Sequence, residues 1–389
     1  MTTSFYELEH PTTWAKVPEQ FSFSSLQTIE SCPRRWQLLR SAWGDHARFP
    51  ERPHPAALEG SIVHEAIELL VRALGRRGMP SIGSSLFREA IEDIDFWGYF
   101  SRETNRWNEK LAAHPRSGPF FVLRTPPREL ANRAIRLFRE QYTALNVEPF
   151  IHDAGAAAVG SGNDDVMDLL RGRGALSEVE VKHPTIPFHG IIDLVELVED
   201  DVQVVDFKTG KQKDAHELQL QMYAVLWWRQ TGVRPSRLAV QYLNQRREFE
   251  VGEGELLAAE AHLEASIADA RRLLADTPAE ARPGKDCGYC AARARCGAGW
   301  LAYQASLGRP TRGTADVEVV IAAQPSPSGF LAEVGGREVD VVFEAAVGQQ
   351  LPNVAVGDRL RLLDVVVRDE GKTFEVRPWT EVYGVPEEG

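Results

Sequence analysis

The chain carries only four cysteines: Cys32 near its start, and Cys287, Cys290 and Cys296 together far downstream. Cys287-Gly-Tyr-Cys290 is a C-x2-C turn and Cys296 follows after five residues. In a chain that does not open like a secretory signal, such a set points to a metal or cluster rather than a disulfide framework. If one site takes all four thiols, the two ends of a long stretch of chain must fold back onto each other. Zinc and an iron–sulfur cluster both accept four thiolates, so these residues alone leave that choice open. Buried free cysteines are common in protein cores, but three so closely spaced fit that reading poorly.

Composition is that of an ordinary globular protein, with 43% hydrophobic and 26% charged residues in a chain of 389. That length suits two or three compact units. The net charge of −12 argues against a histone-like electrostatic coat for nucleic acid. It leaves room for a local phosphate site, because acidic metal ligands themselves add negative charge. The opening MTTSFYELEH has neither the basic start nor the apolar core of a signal peptide, and no apolar run is long enough to span a bilayer. The expectation is a cytoplasmic protein with no membrane partner.

The first half reads as helical. In FSFSSLQTIESCPRRWQLLRSAW, Ser24 or Ser25 is the expected cap, with Leu26 and Ile29 on one face. Cys32-Pro33 interrupts that pattern, and Trp36 and Leu39 resume it. Val63, Ile67, Leu70 and Leu74 form a helical stripe ending at Gly75. The stretch from Pro80 to Tyr142 is expected to be mostly helical, with a break around Pro119 to Pro127. Asp153 to Gly174 reads as a loop or insertion.

Beyond it the period shortens to two. SEVEVKHPTI, GIIDLVELV and VQVVDFKTG read as strands, HELQLQMYAVLWWRQTG as a helix, RLAVQYL as a strand and EGELLAAEAHLEASIADARRLLA as a long helix. This order predicts an α/β core with helices packed on a central sheet. After Gly313, five Val-rich alternating runs predict a small all-β barrel, with an OB-like fold as the leading choice. The expected boundaries are 1–310 for the core, with a helical insertion at about 76–150, and 314–386 for the barrel. Phe330, Phe374 and Trp379 are candidates for stacking on single-stranded nucleic acid. The acidic excess of this segment speaks against phosphate binding, and a protein partner is the alternative.

Two acids stand out on the strands. A two-residue period places Val202, Val204, Asp206 and Lys208 on one face, and Asp193 is a lone acid among aliphatics. Burying an unpaired carboxylate costs several kcal/mol, so each needs a partner or a cation. Two acids on adjacent strands suit a hard ion such as Mg2+ or Mn2+, and Lys208 beside them can stabilise developing negative charge. A strand-end salt bridge is the plain alternative for either residue taken singly. Glu180 reads as a solvated strand face. His64 sits at the edge of its apolar stripe, and Gln219 and Tyr223 lie one helical turn apart.

In chain order these pieces read Gly60-Ser-Ile-Val-His64, Gly190-Ile-Ile-Asp193, Asp206-Phe-Lys208 and Gln219-Leu-Gln-Met-Tyr223. Together they resemble the RecB-like branch of the PD-(D/E)XK nuclease superfamily, over roughly residues 20 to 300. The resemblance implies a restriction-endonuclease-like α/β core with helical insertions, and it leaves the barrel unexplained. It implies that His64, Asp193, Asp206 and the Phe207 carbonyl hold Mg2+ or Mn2+. Lys208 would be catalytic, with Gln219 and Tyr223 positioning DNA or the lysine. The implied activity is hydrolysis of DNA phosphodiester bonds, exonucleolytic or at single strands and ends, in repair, recombination or foreign-DNA processing.

One cysteine upstream of the motifs and three downstream resembles the iron–sulfur members, AddB-type and CRISPR-associated. That likeness implies a structural [4Fe–4S] cluster on Cys32, Cys287, Cys290 and Cys296 in preference to zinc. Arg34, Arg35, Arg293 and Arg295 would then gather near it, as a basic patch for DNA or as solvated surface charges. No G-x-x-x-x-G-K-[ST] loop is present, so any unwinding has to come from a helicase partner. A non-catalytic DNA-binding adaptor and a four-cysteine zinc regulator are the competing readings. The intact Asp193, Asp206 and Lys208 set favours an active nuclease.

Overall fold

The structure is a computed structural model that describes residues 5–75, 77, 80–117, 122–144, 166–168, 170–171, 175–199, 201–208, 214–242, 245–307, 313–323, 325–344 and 354–385. The loop expected at Asp153 to Gly174 lies largely outside these. Within it, residues 166–168 and 170–171 are helical, and Val166 and Leu170 are buried in the main core.

Helices α1 (Phe23–Ser31) and α2 (Pro33–Arg40) meet at Cys32, which has extended backbone. Pro33 opens α2, where a missing N–H costs nothing. The cap of α1 is Ser22, whose side chain accepts from the Ser25 amide at 3.3 Å. It is neither Ser24 nor Ser25, because Ser25 is already inside the helix and its Oγ accepts from buried Trp36 Nε1 at 2.8 Å. Helices α3 (Pro55–Gly75), α4 (Ser85–Asp93), α5 (Phe96–Ala113) and α6 (Pro127–Ala144) share an apolar core of their own. The stripe Val63, Ile67, Leu70 and Leu74 enters it beside Phe96, Phe100 and Leu130.

Five strands build the central sheet in the order β1 (Ala175–Lys182), β2 (His189–Val198), β3 (Asp201–Lys208), β4 (Arg237–Tyr242), β5 (Arg246–Glu250). Neighbours are antiparallel except β3 and β4, which are parallel. A parallel pair needs a crossover, and α7 (Asp214–Thr231) supplies it. Val202, Val204, Leu238 and Val240 share one apolar core with Leu220, Ala224 and Trp227 of α7, Leu256 and Leu263 of α8 (Glu253–Leu273), and Leu26 and Ile29 of α1. Strand β5 was not foreseen. Its sequence RREFE is half-buried or exposed along its whole length, so no apolar alternation announces it.

After α9 (Gly297–Leu307) come β6 (Thr314–Ile321), β7 (Gly329–Val334), β8 (Arg337–Phe343), β9 (Arg359–Arg368), β10 (Thr373–Val376) and β11 (Glu381–Gly384). The circuit β6–β7–β8–β10–β9 closes on itself through β9–β6, with β8–β10 its parallel pair and β11 added outside β9. The result is a barrel-like sheet with its own apolar interior. Phe330 and Phe374 are each 6% exposed within that interior, so neither can stack on a nucleic acid; Trp379 is exposed. No helix among the described residues is long and apolar enough to cross a membrane.

Candidate active site

Asp206 and Lys208 project from the end of β3, beyond the apolar Val202 and Val204. Asp206 is 2% exposed, and among the described residues the partner of its buried Oδ2 is Lys208 Nζ, an ion pair at 2.6 Å. Burial raises the Asp206 carboxyl pKa above its usual range, against the pull of Lys208. Asp193, on adjacent β2, accepts a hydrogen bond from the Phe207 amide at 2.6 Å through Oδ2. Burial first, then the charge of Asp206, push its pKa up to about 7. Phe207 itself packs on the other face of the sheet, against Leu194, Val205 and Ala239.

Helix α7 covers the acids. Gln219 Nε2 donates to Tyr223 Oη at 3.0 Å, and the one-turn geometry expected for the pair is present. Burial raises the Tyr223 pKa against the hydrogen bond to Gln219, and the charges of Asp206 and Asp193 add to the rise. Gly190 has a packing reason: a Cβ there would lie 2.5 Å from Tyr223 Cε1. Gly60 has none, since a Cβ would meet nothing within 4 Å. His64 stands exposed on α3, its imidazole pKa lowered by partial desolvation.

Two residues near Asp206 had not been singled out from the sequence. His216 lies three positions before Gln219 on the same helix face, its charge is felt at Asp206, and its Nδ1 is 3.0 Å from Tyr242 Oη. Tyr242 pairs with Lys208 across β3–β4. The i, i+3, i+7 spacing of His216, Gln219 and Tyr223 was the available signal.

Cys32, Cys287, Cys290 and Cys296 line one cavity of about 300 Å3. Backbone amides point at three of the sulfurs: Arg282 N to Cys32 Sγ at 3.4 Å, Gly284 N to Cys287 Sγ at 3.4 Å, and Gly299 N to Cys296 Sγ at 3.3 Å. A Cβ on Gly299 would sit 2.9 Å from Cys296 Sγ and 3.9 Å from Cys287 Sγ. Burial pushes the Cys290 thiol up to about 11, partly offset by Arg35, and raises that of Cys296.

Residues 20–297 match the family model of the PD-(D/E)XK nuclease superfamily. The chain belongs to that superfamily. No curated protein matches it. Among solved structures, SSO0001 aligns at 15% identity with a TM-score of 0.26, covering 62% of this chain and 95% of that one. A murine DNA-binding protein bound with double-stranded DNA aligns at 9% identity and a TM-score of 0.16, covering 55% and 95%. The tetrameric p202 HIN2 structure aligns at 12% identity and a TM-score of 0.16 over 18% of this chain; the chain spans 41% of that protein's length.

PD-(D/E)XK nucleases generally use divalent metals, and the acids fit one. Asp193 and Asp206 offer hard oxygen donors whose pKa values are raised first by burial, a desolvation that a bound cation would offset. Among the described residues, no three His, Cys, Asp or Glu side chains stand close enough to share a single ion. His64 is therefore not drawn into one ligand set with the two aspartates. The cysteine cavity also fits a sulfur-ligated group, by its four donors, its amide-to-sulfur contacts and the cradle over Gly299. Arg35 lines the same cavity with a buried Nε that has no hydrogen-bond partner among the described residues.

The other arginines do not form a basic patch in this PD-(D/E)XK chain. Arg293 is ion-paired to Asp316 at 2.6 Å and to Asp364 at 3.4 Å. Arg295, 4% exposed, donates to the carbonyls of Tyr6 and Gly384 at 2.6 and 2.7 Å. Arg34 Nε donates to the Ala279 carbonyl at 2.5 Å. Desolvated guanidinium groups need fixed partners, and the nearest ones belong to the barrel and to the chain's own turns.

Proposed function

We propose that this chain is a divalent-metal-dependent deoxyribonuclease of the RecB-like branch, with a [4Fe–4S] cluster tying the two ends of its catalytic domain together. The observation that carries the reading is the Asp193–Asp206–Lys208 set on adjacent strands, Asp206 buried and the other two half-buried, beside Gln219 and Tyr223. Asp193, Asp206 and the Phe207 carbonyl would hold Mg2+ or Mn2+; the family resemblance adds His64 of α3, which stands apart from the two aspartates in this structure. When bound, the ion supplies Lewis acidity and an activated water.

The remaining work falls to side chains. Lys208 balances Asp206 and places an ammonium where negative charge develops on a phosphate under attack. Gln219 and Tyr223 fix each other and orient the lysine or the DNA backbone. With a net charge of −12, attraction for DNA must be local to this cleft and its cations. A single strand or a duplex end suits that restricted site, and unwinding would come from a helicase partner.

For the cysteine cavity, the cluster is preferred to zinc on resemblance: one cysteine upstream of the nuclease motifs and three downstream is the arrangement of the iron–sulfur members, and all four thiols line one cavity. The barrel's closed five-strand circuit supports an OB-like assignment.

The test is cleavage of end-labelled single-stranded and duplex DNA with Mg2+ or Mn2+. Wild type should degrade the label, and Lys208→Ala should fall by about 10²-fold or more. Equal rates for the two proteins, or none for wild type, would leave the adaptor reading in its place.

A further inference from the structure

Strands β1 and β2 run in register on both sides of one interruption. Ser177 pairs with Leu194 and Val179 with Ile192, so Glu178 stands opposite Asp193, yet that pair is missing from the ladder. Glu178 has a left-handed backbone, φ +52°, in the middle of the strand. Side-chain alternation slips at the same place. Leu176 and Val179 both enter the main core, as do Ile192 and Val195 on β2. Residues three apart in an unbroken strand point to opposite faces, so both strands change phase here.

The slip has a directional result. Cross-strand neighbours share a face, so Glu178 stands with Asp193. Glu178 and Glu180 are both exposed, but Glu180 follows the other phase, opposite Ile191, itself 47% exposed. One step further, the β2–β3 register that pairs Leu194 with Val205 sets Asp193 opposite Asp206. Three acids thus form a row across three strands. At the open end of that row the carboxyl of Glu178, raised first by burial, feels the charges of Glu68 and Arg72, both on α3. At the other end Asp206, 2% exposed, has its Oδ2 buried against Lys208.

We propose that Glu178 is a further acid of the catalytic site, sharing a divalent cation with Asp193, so that Asp193 bridges one cation position toward Asp206 and a second toward Glu178. The proposal rests on the nuclease reading above. Mg2+ commonly takes one or two carboxylates and fills its remaining positions with water and substrate phosphate, so the Glu178–Asp193 pair is a sufficient protein contribution. Two ions that share one carboxylate can clamp the oxygens on both sides of a displaced phosphate. The backbone position is one that glycine would fill with less strain.

Manganese titration of the full chain without DNA, followed by electron paramagnetic resonance and calorimetry, tests this directly. Wild type should bind two Mn2+ ions in the cleft. Glu178→Gln and Glu178→Gly should each lose one of them or weaken it by more than tenfold, and the glycine variant should melt no lower than wild type. Asp206→Asn serves as a variant that must lose metal. Isotherms for both Glu178 variants that overlay wild type would overturn the proposal and leave the nuclease reading intact. Absence of Mn2+ binding and of DNA cleavage in wild type would instead overturn the nuclease reading itself.

Discussion

At the scale of single residues, Asp193 carries the tension of the site. Burial and the neighbouring charges of Asp206 and Glu178 hold its proton, while the Phe207 amide and Lys208 favour its release. The resulting pKa of about 7 lies above its ordinary 3.8, so between those values the folded chain keeps a proton that the unfolded chain has lost. Stability then falls as pH rises through that window, because the native state binds more protons there. Metal-free protein should show a lower urea midpoint at pH 7 than at pH 5. Saturating Mg2+ should flatten or reverse that slope, since the cation takes the proton's place. A metal-free midpoint that rises steadily from pH 4 to 7, and ignores Mg2+, would show that Asp193 is not held in this way.

At the scale of elements, what was legible depended on whether side chains announced the backbone. Apolar alternation revealed β7 and β8 because each buries one face, and β3 showed itself as a valine-rich run buried on both faces. Polar β5 and the four-residue β11 left no such trace. Gly190 and Gly60 open two motifs in the same manner, but only Gly190 is pressed against a neighbour, the Tyr223 ring. Glu178 was hidden for a different reason: SEVEVK alternates perfectly, and nothing in it signals the phase slip that separates Glu178 from Glu180. Gly299 was hidden too, since its role is to leave room for the sulfurs of another element. Gly299→Ala would place a methyl 2.9 Å from Cys296 Sγ, against a first-turn backbone that cannot yield freely. Anaerobically purified wild type should show the broad visible absorbance of thiolate-to-iron charge transfer, and the alanine variant should lose most of it per chain. Stoichiometric zinc in a colourless wild type would overturn the cluster assignment.

At the scale of the whole molecule, the barrel is fastened to the catalytic body by buried arginines. Arg116, just after α5, forks onto Glu381 of β11 at 3.0 and 2.9 Å, and Tyr383 Oη donates to the same carboxylate at 3.0 Å. The Arg116 and Glu381 side chains are only 2% and 4% exposed. Arg361 of β9 donates to the Ala294 carbonyl at 2.9 Å, between Cys290 and Cys296, while Arg293 reaches back to Asp316 of β6. The helical unit, the cysteine segment and the barrel therefore meet along one polar seam, and disturbing it should be felt by all three. Glu381→Gln would keep the shape but leave the Arg116 guanidinium buried without a counter-charge. Loss of one partner from such a pair costs about 3–5 kcal/mol, whereas replacing both partners by apolar side chains of similar volume is often near neutral. Urea denaturation should thus show a lower midpoint for Glu381→Gln and partial recovery in the double variant Arg116→Met, Glu381→Leu. If barrel and body unfold as one unit, the midpoint should move with the slope unchanged; a separate early transition would mean that the seam, once broken, releases the barrel alone. A change below about 1 kcal/mol in the single variant, the range typical of exposed ion pairs, would show that this pair does not hold the seam.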